Sequence, residues 1–334
     1  MREIGSEFWN VPITNKKNEL FPESTQWFLS GRSALQAVIN DIKSKKKCCT
    51  VALPSWCCDS MIKPFIDAGI EVHFYSVSFK NRIVQNIKKN CDILFVMDYF
   101  GYISDDLNLS DYYGAVIRDV THSVFSKSYS DADYYFGSLR KWCGVWTGGF
   151  AWSNDGNLLE KPLPDESEYC SLRKESMEQK AEYIEGSRTD KNYLVLFKQA
   201  EELLDDINVV AADKRDVDLV DYLDVVFIRN QRRANAKVLQ EAFPELLIFP
   251  ALKTSECPLF VPVLIPDGKR DALRRYLINN SVYCPIHWPV SKYHVLNNAD
   301  MYIYENELSL VCDQRYNEKD MNRMIELINT FMEK

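Results

Sequence analysis

The sequence predicts an α/β fold: a large domain with a mixed, mostly parallel sheet flanked by helices, then a smaller C-terminal α/β domain. Two observations carry this. Short apolar runs alternate with helical patterns through the first 150 residues, as βαβ units require. One of those runs, "CDILFVMDYFG", is almost continuously apolar, as a strand covered on both faces should be.

The elements follow in order. "SALQAVINDI" places Ala34, Leu35, Val38, Ile39 and Ile42 on one helical face. "CTVALP" reads as a strand ended by Pro54, and "SMIKPFIDAG" as a helix with a glycine stop and Pro64 near its start. "EVHFYSV", "CDILFVMDYFG", "GAVIRDV", "DADYYFGS" and "GGFAWS" complete the strands of the first half. From about Lys161 the chain turns charged and helical. A second α/β unit begins near residue 215 and holds the helix "RRANAKVLQEAF", the strands "CPLFVPVLIP" and "YCPIHWP", and the helix "KDMNRMIELINTFME". The expected division is residues 1–215 and 216–334.

Composition excludes several functions. A net charge of −8 disfavours nucleic acid and anionic membranes as partners, because both require clustered lysine and arginine. The one basic run, "KSKKK", suits a solvated helix end. Ten cysteines without a Cys-x-x-Cys pair, and only four histidines, argue against a structural zinc site. The N-terminus has no basic-then-apolar signal pattern and no apolar run is long enough to span a bilayer, so a cytoplasmic protein with reduced cysteines is expected.

Ligands of an open parallel sheet gather at the carboxyl ends of its strands, so the polar residues there are the candidates. In "FLSGRSAL", Ser30, Gly31, Arg32 and Ser33 open a helix, whose free N–H groups favour a phosphate; a plain serine cap explains the same residues. In "VIRDVTHS", Asp119 and His122 can face one ligand; a helix cap and a satisfied histidine are the bland reading. A buried carboxylate needs a cationic partner, which a protonated ring nitrogen would supply. In "SLRKW", Lys141 follows 22 residues after Asp119, among small and aromatic residues. A desolvated lysine tends to lose its proton, and a neutral amine attacks carbonyls. The order phosphate loop, acid, lysine is what pyridoxal phosphate needs. No Gly-x-Gly-x-x-Gly follows the first strands, so a nucleotide-binding dehydrogenase lacks support.

With these pieces, the chain resembles the DegT/StrS family of pyridoxal-phosphate-dependent sugar aminotransferases of fold type I. The matching stretches are "SGRSAL", "LPSWCCDSMIKPFIDAGIEVHFYSV", "DYFG", "IRDVTHS", "SLRKW…GG" and "CDQRY"; they cover residues 28–150 well and the remainder thinly. The resemblance implies Lys141 as the Schiff-base lysine, Asp119 on the pyridine nitrogen and His122 near the phenolic oxygen. It implies Gly31, Arg32, Ser33 and Ser138 on the phosphate, and a homodimer with shared active sites. It implies amino transfer from glutamate or glutamine to a nucleotide-linked keto sugar. Three departures stand out. Cys58 occupies the family's ring-stacking position, leaving Trp56 or another aromatic to stack. Ser138 lies three residues before the lysine where many members have five. The Gly-x-Asn-x-Arg segment is reduced to Asn192 in "DKNYLVLF", without its arginine. Arg188, Arg315 and, in "CPIHWPVSKYHV", His287, Trp288 and His294 are the substrate-side candidates, each with a structural explanation open beside it. A dehydratase-type reaction and a non-catalytic partner subunit are the alternatives; Lys141 speaks against the first, whereas Cys58 and the missing arginine motivate the second.

Overall fold

The computed structural model describes residues 3–79, 83–87, 90–103, 109, 112, 114–126, 132–156, 158–165, 167–205 and 208–333. Seven strands form the main sheet: β1 (Gln26–Phe28), β2 (Thr50–Pro54), β3 (Glu71–Tyr75), β4 (Ile93–Met97), β5 (Ala115–Asp119), β6 (Tyr134–Ser138) and β7 (Gly149–Ser153). Their order across the sheet is β1-β7-β6-β5-β4-β2-β3. The block β6-β5-β4-β2-β3 is parallel, and β7 runs antiparallel to both its neighbours. Every residue of β4 and β5 is buried, which is why those stretches are apolar without alternation.

Two helices cover the sheet near the site. Helix α1 (Gly31–Lys45) buries Ala34, Leu35, Val38, Ile39 and Ile42, the face its periodicity predicts. Ser30 is its N-cap, accepting from Ser33 N–H at 3.2 Å, an arrangement that stabilises a helix by about 1 kcal/mol. Helix α2 (Asp59–Asp67) accommodates Pro64 within it. The charged middle of the chain folds as α3 (Tyr169–Glu185) and α4 (Tyr193–Glu202), which pack on each other. Then come α5 (Lys214–Val220) and α6 (Val225–Ala242).

The C-terminal portion holds strand β8 (Val261–Leu264), helix α7 (Arg270–Asn279), helix α8 (Asn298–Asn306), strand β9 (Glu307–Leu310) and helix α9 (Glu318–Met332). β8 and β9 pair antiparallel. A second apolar cluster lies here, built from Leu239, Val261, Leu273, Leu308, Met324 and others, with Ile4 of the N-terminus added to it. The "YCPIHWP" run is strand only at Val282–Tyr283, where it pairs with Ile4–Gly5; its prolines remove ladder donors beyond that point. β9 escaped the sequence reading because "ELSL" is too short to display a period. All ten cysteines are free. Among the described residues, no helix is long and apolar enough to cross a membrane and no cluster of three metal-ligating side chains exists.

Candidate active site

The strand directions bring the candidates to one edge. The parallel strands β2, β5 and β6 all end there. β1 is antiparallel to β7 and β7 to β6, so β1 points the same way and delivers Ser30 to that edge. Phe28, Gly149 and Ser138 are in register across the three strands. Gly149 makes this possible: a Cβ there would lie 2.0 Å from the Ser30 carbonyl oxygen, so only glycine lets the start of α1 touch the sheet. Gly148, at φ +117°, turns the chain into β7 while its carbonyl accepts from Leu139 N–H at 2.8 Å.

A cavity of about 330 Å³ opens at this edge. Ser30, Gly31, Arg32, Cys58, Asp119, His122, Ser138 and Lys141 all contribute to its lining. Residues separated by over 100 positions in sequence thus share one wall system. Phe136, Arg140, Glu201 and Trp288 line it too.

Asp119 is the last residue of β5 and only 1% exposed. Thr121 N–H donates to its Oδ1 at 2.8 Å, but no ammonium or guanidinium pairs with it among the described residues. Burial, with Asp98 adding to it, pushes its pKa up to about 6 against the opposing Thr121 bonds. Asp98 itself is neutralised by Arg118, 2.8 Å away. An unpaired buried carboxylate facing a cavity is a site for a cation supplied by a ligand.

Lys141 ends a 3₁₀ turn, Leu139–Lys141, that follows β6 directly. Its side chain opens to the cavity and is solvent-exposed there, with protein on the surrounding walls. Desolvation by those walls lowers its pKa, as does the Arg140 guanidinium, with Glu7 pulling the other way. Trp142, the next residue, is fully buried: its Nε1–H donates to the Thr121 carbonyl at 2.7 Å, its ring packs edge-on to Phe125, and Arg232 lies over it. Trp146 lies under Arg215. Both tryptophans brace the loop rather than line the cavity.

His122 is 2% exposed, and burial first, then His287 and Lys141, hold it well below the usual histidine range. The ring is therefore neutral. Phe100 N–H donates to its Nδ1 at 3.3 Å, which assigns the ring proton to Nε2. Trp288 stacks on it, 5.6 Å between centroids and 26° between planes.

Other sequence candidates lie elsewhere. Ser33 is fully buried and its hydroxyl donates to the Asn208 carbonyl, so it supports α1 instead of lining the cavity. Trp56 packs in the core, stacked on Tyr99 with its Nε1–H on the His287 carbonyl. Cys58 does line the wall, but its thiol sits against Ser60 Oγ at 2.9 Å and burial raises its pKa. Asn192 is the exposed N-cap residue of α4. Arg188 is tied at the surface to Glu182 and Asp190. Arg315 is buried with Asp313, 2.8 Å away, and donates to the carbonyls of Ser6 and Glu7. His287 backs His122 without lining the cavity.

Sequence reasoning missed Arg140. Of the pocket candidates His287, Trp288 and His294, the structure puts only Trp288 in the cavity lining. Arg140 ion-pairs with Glu201 and lies over the Tyr169 ring, while Arg32 pairs with Asp205 at 3.1 Å. Both carboxylates come from the end of α4 and the turn after it. The signal for Arg140 was its place beside Lys141, readable only once the turn geometry is known.

No family model matches the chain, and no curated protein matches it in sequence. Solved structures do. PseC of Helicobacter pylori, an aminotransferase involved in the biosynthesis of pseudoaminic acid, superposes at TM-score 0.64 with 13% identity, covering 97% of this chain and 99% of that one. A DegT DnrJ EryC1 StrS aminotransferase from Brucella abortus gives 0.58 at 14% identity, covering 93% and 86%. NtdA of Bacillus subtilis, solved with bound cofactor PMP, gives 0.64 at 12%, covering 93% and 73%. The chain has the fold type I architecture of the DegT/StrS sugar aminotransferases. Identity this low carries the fold; the activity must be argued from the site.

Proposed function

We propose that this protein is a pyridoxal-phosphate-dependent sugar aminotransferase, using an amino acid as donor and a keto sugar, nucleotide-linked, as acceptor. The observation that carries the reading is a buried carboxylate without a cationic partner and a lysine of lowered pKa on one cavity, with a helix N-terminus and two serines beside them. The donor set fits the cofactor: Asp119 would hold the ring nitrogen in its protonated form, His122 Nε2–H would donate to the phenolic oxygen, and Ser30, Gly31, Arg32 and Ser138 would hold the phosphate. When bound, the cofactor supplies an electron sink for the carbanion formed at the substrate carbon.

The chain's own residues do the rest. Lys141 would anchor the cofactor covalently and, once displaced by the donor's amine, move the proton at the reacting carbon. A lowered pKa suits this, because a neutral amine can accept that proton. Asp119 would remain ionised against the ring cation, which relieves the desolvation that now raises its pKa. Trp288, stacked on His122, would keep water from that side.

Arg140 would join the phosphate site from within the same chain. Two guanidiniums match a phosphate dianion, and here each is held by an acidic side chain from residues 201–205 that the dianion would displace. Arg140→Gln is expected to weaken pyridoxal phosphate binding by about tenfold, the scale of one charge-assisted hydrogen bond, and Glu201→Gln to strengthen it. Both should change the binding of phosphate-free pyridoxal far less. Equilibrium titration with both ligands checks this.

The reading as a whole is tested by adding pyridoxal phosphate and then single amino acids. Glutamate or glutamine should shift the cofactor spectrum to that of its amine form, and a keto sugar nucleotide should return it. A spectrum unmoved by any amino donor would rule the aminotransferase out.

A further inference from the structure

A buried polar chain leads away from the back of the cavity wall. Glu307 and Ser309 stand two residues apart on β9, so both side chains leave the same face of the strand, and both are fully buried. Ser309 Oγ is hydrogen-bonded to Glu307 Oε1. His287 Nδ1 lies 2.8 Å from Ser309 Oγ, and His287 backbone N–H donates to Glu307 Oε2 at 2.7 Å. The His287 ring then stands edge-on to His122, 5.5 Å between centroids, with Phe100 and Phe260 around it. The sequence had singled out His287; the site described above gives it no task.

The protons in this chain can be counted. Oε2 is already an acceptor, so a neutral Glu307 carries its proton on Oε1 and donates to Ser309. The serine hydroxyl then donates to His287 Nδ1, and the ring proton is on Nε2. An ionised Glu307 reverses every bond: Ser309 donates to Oε1, accepts from Nδ1–H, and Nε2 is left with a lone pair. The two states differ by one proton, and a shift along the chain releases it at Nε2, not at the carboxyl itself.

We propose that Glu307, acting through Ser309, is a positioning residue and proton store that decides whether His287 Nε2 is a donor or an acceptor behind the Lys141–His122 wall. The proton lost goes to bulk water as the pH rises, and Glu307 becomes the carboxylate. This rests on the aminotransferase reading, in which Lys141 must hold and release a proton.

The surroundings agree. Burial pushes Glu307 up to about 8, against the pull of Ser309, the His287 N–H and the Arg270 guanidinium of α7, whose Nη1 donates to the Glu307 carbonyl. The Cys284 thiol also feels its charge. Burial holds His287 down to about 3, with the Lys141 charge adding to it, so the ring stays neutral and only its tautomer changes. Below about pH 8 the Nε2–H form is expected, above it the Nδ1–H form.

The test is ¹⁵N NMR of the histidine-labelled full chain as purified and with pyridoxal phosphate added, with the His287 signals assigned by their loss in His287→Gln. The wild type should exchange tautomers with a midpoint near pH 8. Glu307→Gln, whose amide donates to Ser309 at every pH, should hold His287 as Nε2–H throughout. Ser309→Ala should abolish the pH response and Ser309→Thr should restore it. The serine pair decides the matter if Glu307→Gln fails to fold. A wild-type tautomer that does not change between pH 6 and 10, or an unaltered transition in Glu307→Gln or Ser309→Ala, overturns the proposal. Absorbance on adding pyridoxal phosphate separates the two readings: a lysine-bound cofactor without the tautomer change sinks the relay alone. The tautomer change in a chain that binds no cofactor sinks its link to Lys141.

Discussion

Lys141→Ala is expected to lose the visible absorbance of a lysine-bound cofactor and to transaminate at least about 10⁴-fold more slowly, the upper end of what one acid–base group contributes. Borohydride reduction followed by peptide mass spectrometry checks the attachment: the wild type should carry the cofactor on Lys141 and the variant should carry none. The fold should survive. Lys141 is a solvent-exposed residue on the cavity wall, so truncating it removes no buried packing. Unchanged cofactor absorbance and turnover in the variant would sink the assignment.

Asp119→Asn is expected to separate stability from chemistry. In the cofactor-free chain Asp119 has its pKa raised from 3.8 to about 6 by burial. An acid raised in the folded state binds more protons folded than unfolded between those values. Its contribution to stability is therefore complete below about pH 4 and is lost as pH rises through about 6. At neutral pH the loss is about 3 kcal/mol by linkage. Asparagine carries no charge to desolvate, so the cofactor-free variant should melt a few degrees higher than wild type at pH 7 and about equally at pH 4. The same variant should transaminate orders of magnitude more slowly, because a neutral amide does not hold the ring nitrogen protonated. Thermal melts at the two pH values and single-turnover kinetics measure both halves. Equal melting at pH 7 would show that Asp119 has found another partner.

These two residues were the most legible in the sequence, and the reason is local. Asp119 ends a strand of five buried residues, and Lys141 follows another strand by three. Strand ends mark the ligand edge of a parallel sheet whatever the remainder of the chain does. Gly31, Arg32 and Ser138 were readable for the same reason. Ser33 was not separable from its neighbours, because which serine caps α1 and which turns inward to Asn208 depends on a segment 175 residues away. Trp56 and Trp288 show the same limit. Both are aromatic residues near prolines, yet one packs on Tyr99 in the core and the other on His122 at the cavity.

The sequence by itself determined the alternation of strands and helices, the buried central strands, and the acid and lysine at strand ends. Those follow from periodicity, burial on two faces and backbone geometry, which act within a few residues. Only the tertiary structure decided that Arg140 faces the cavity, that Arg188 and Arg315 are spent on ion pairs, and that His287 joins Ser309 and Glu307. The partners of Arg140 and His287, Glu201 and Ser309, lie far away in sequence and meet them only in the folded chain, where a buried hydrogen-bonding group must find its partner. Arg188 and Arg315 pair with carboxylates two to six residues away, a pairing that sequence spacing permits but does not choose.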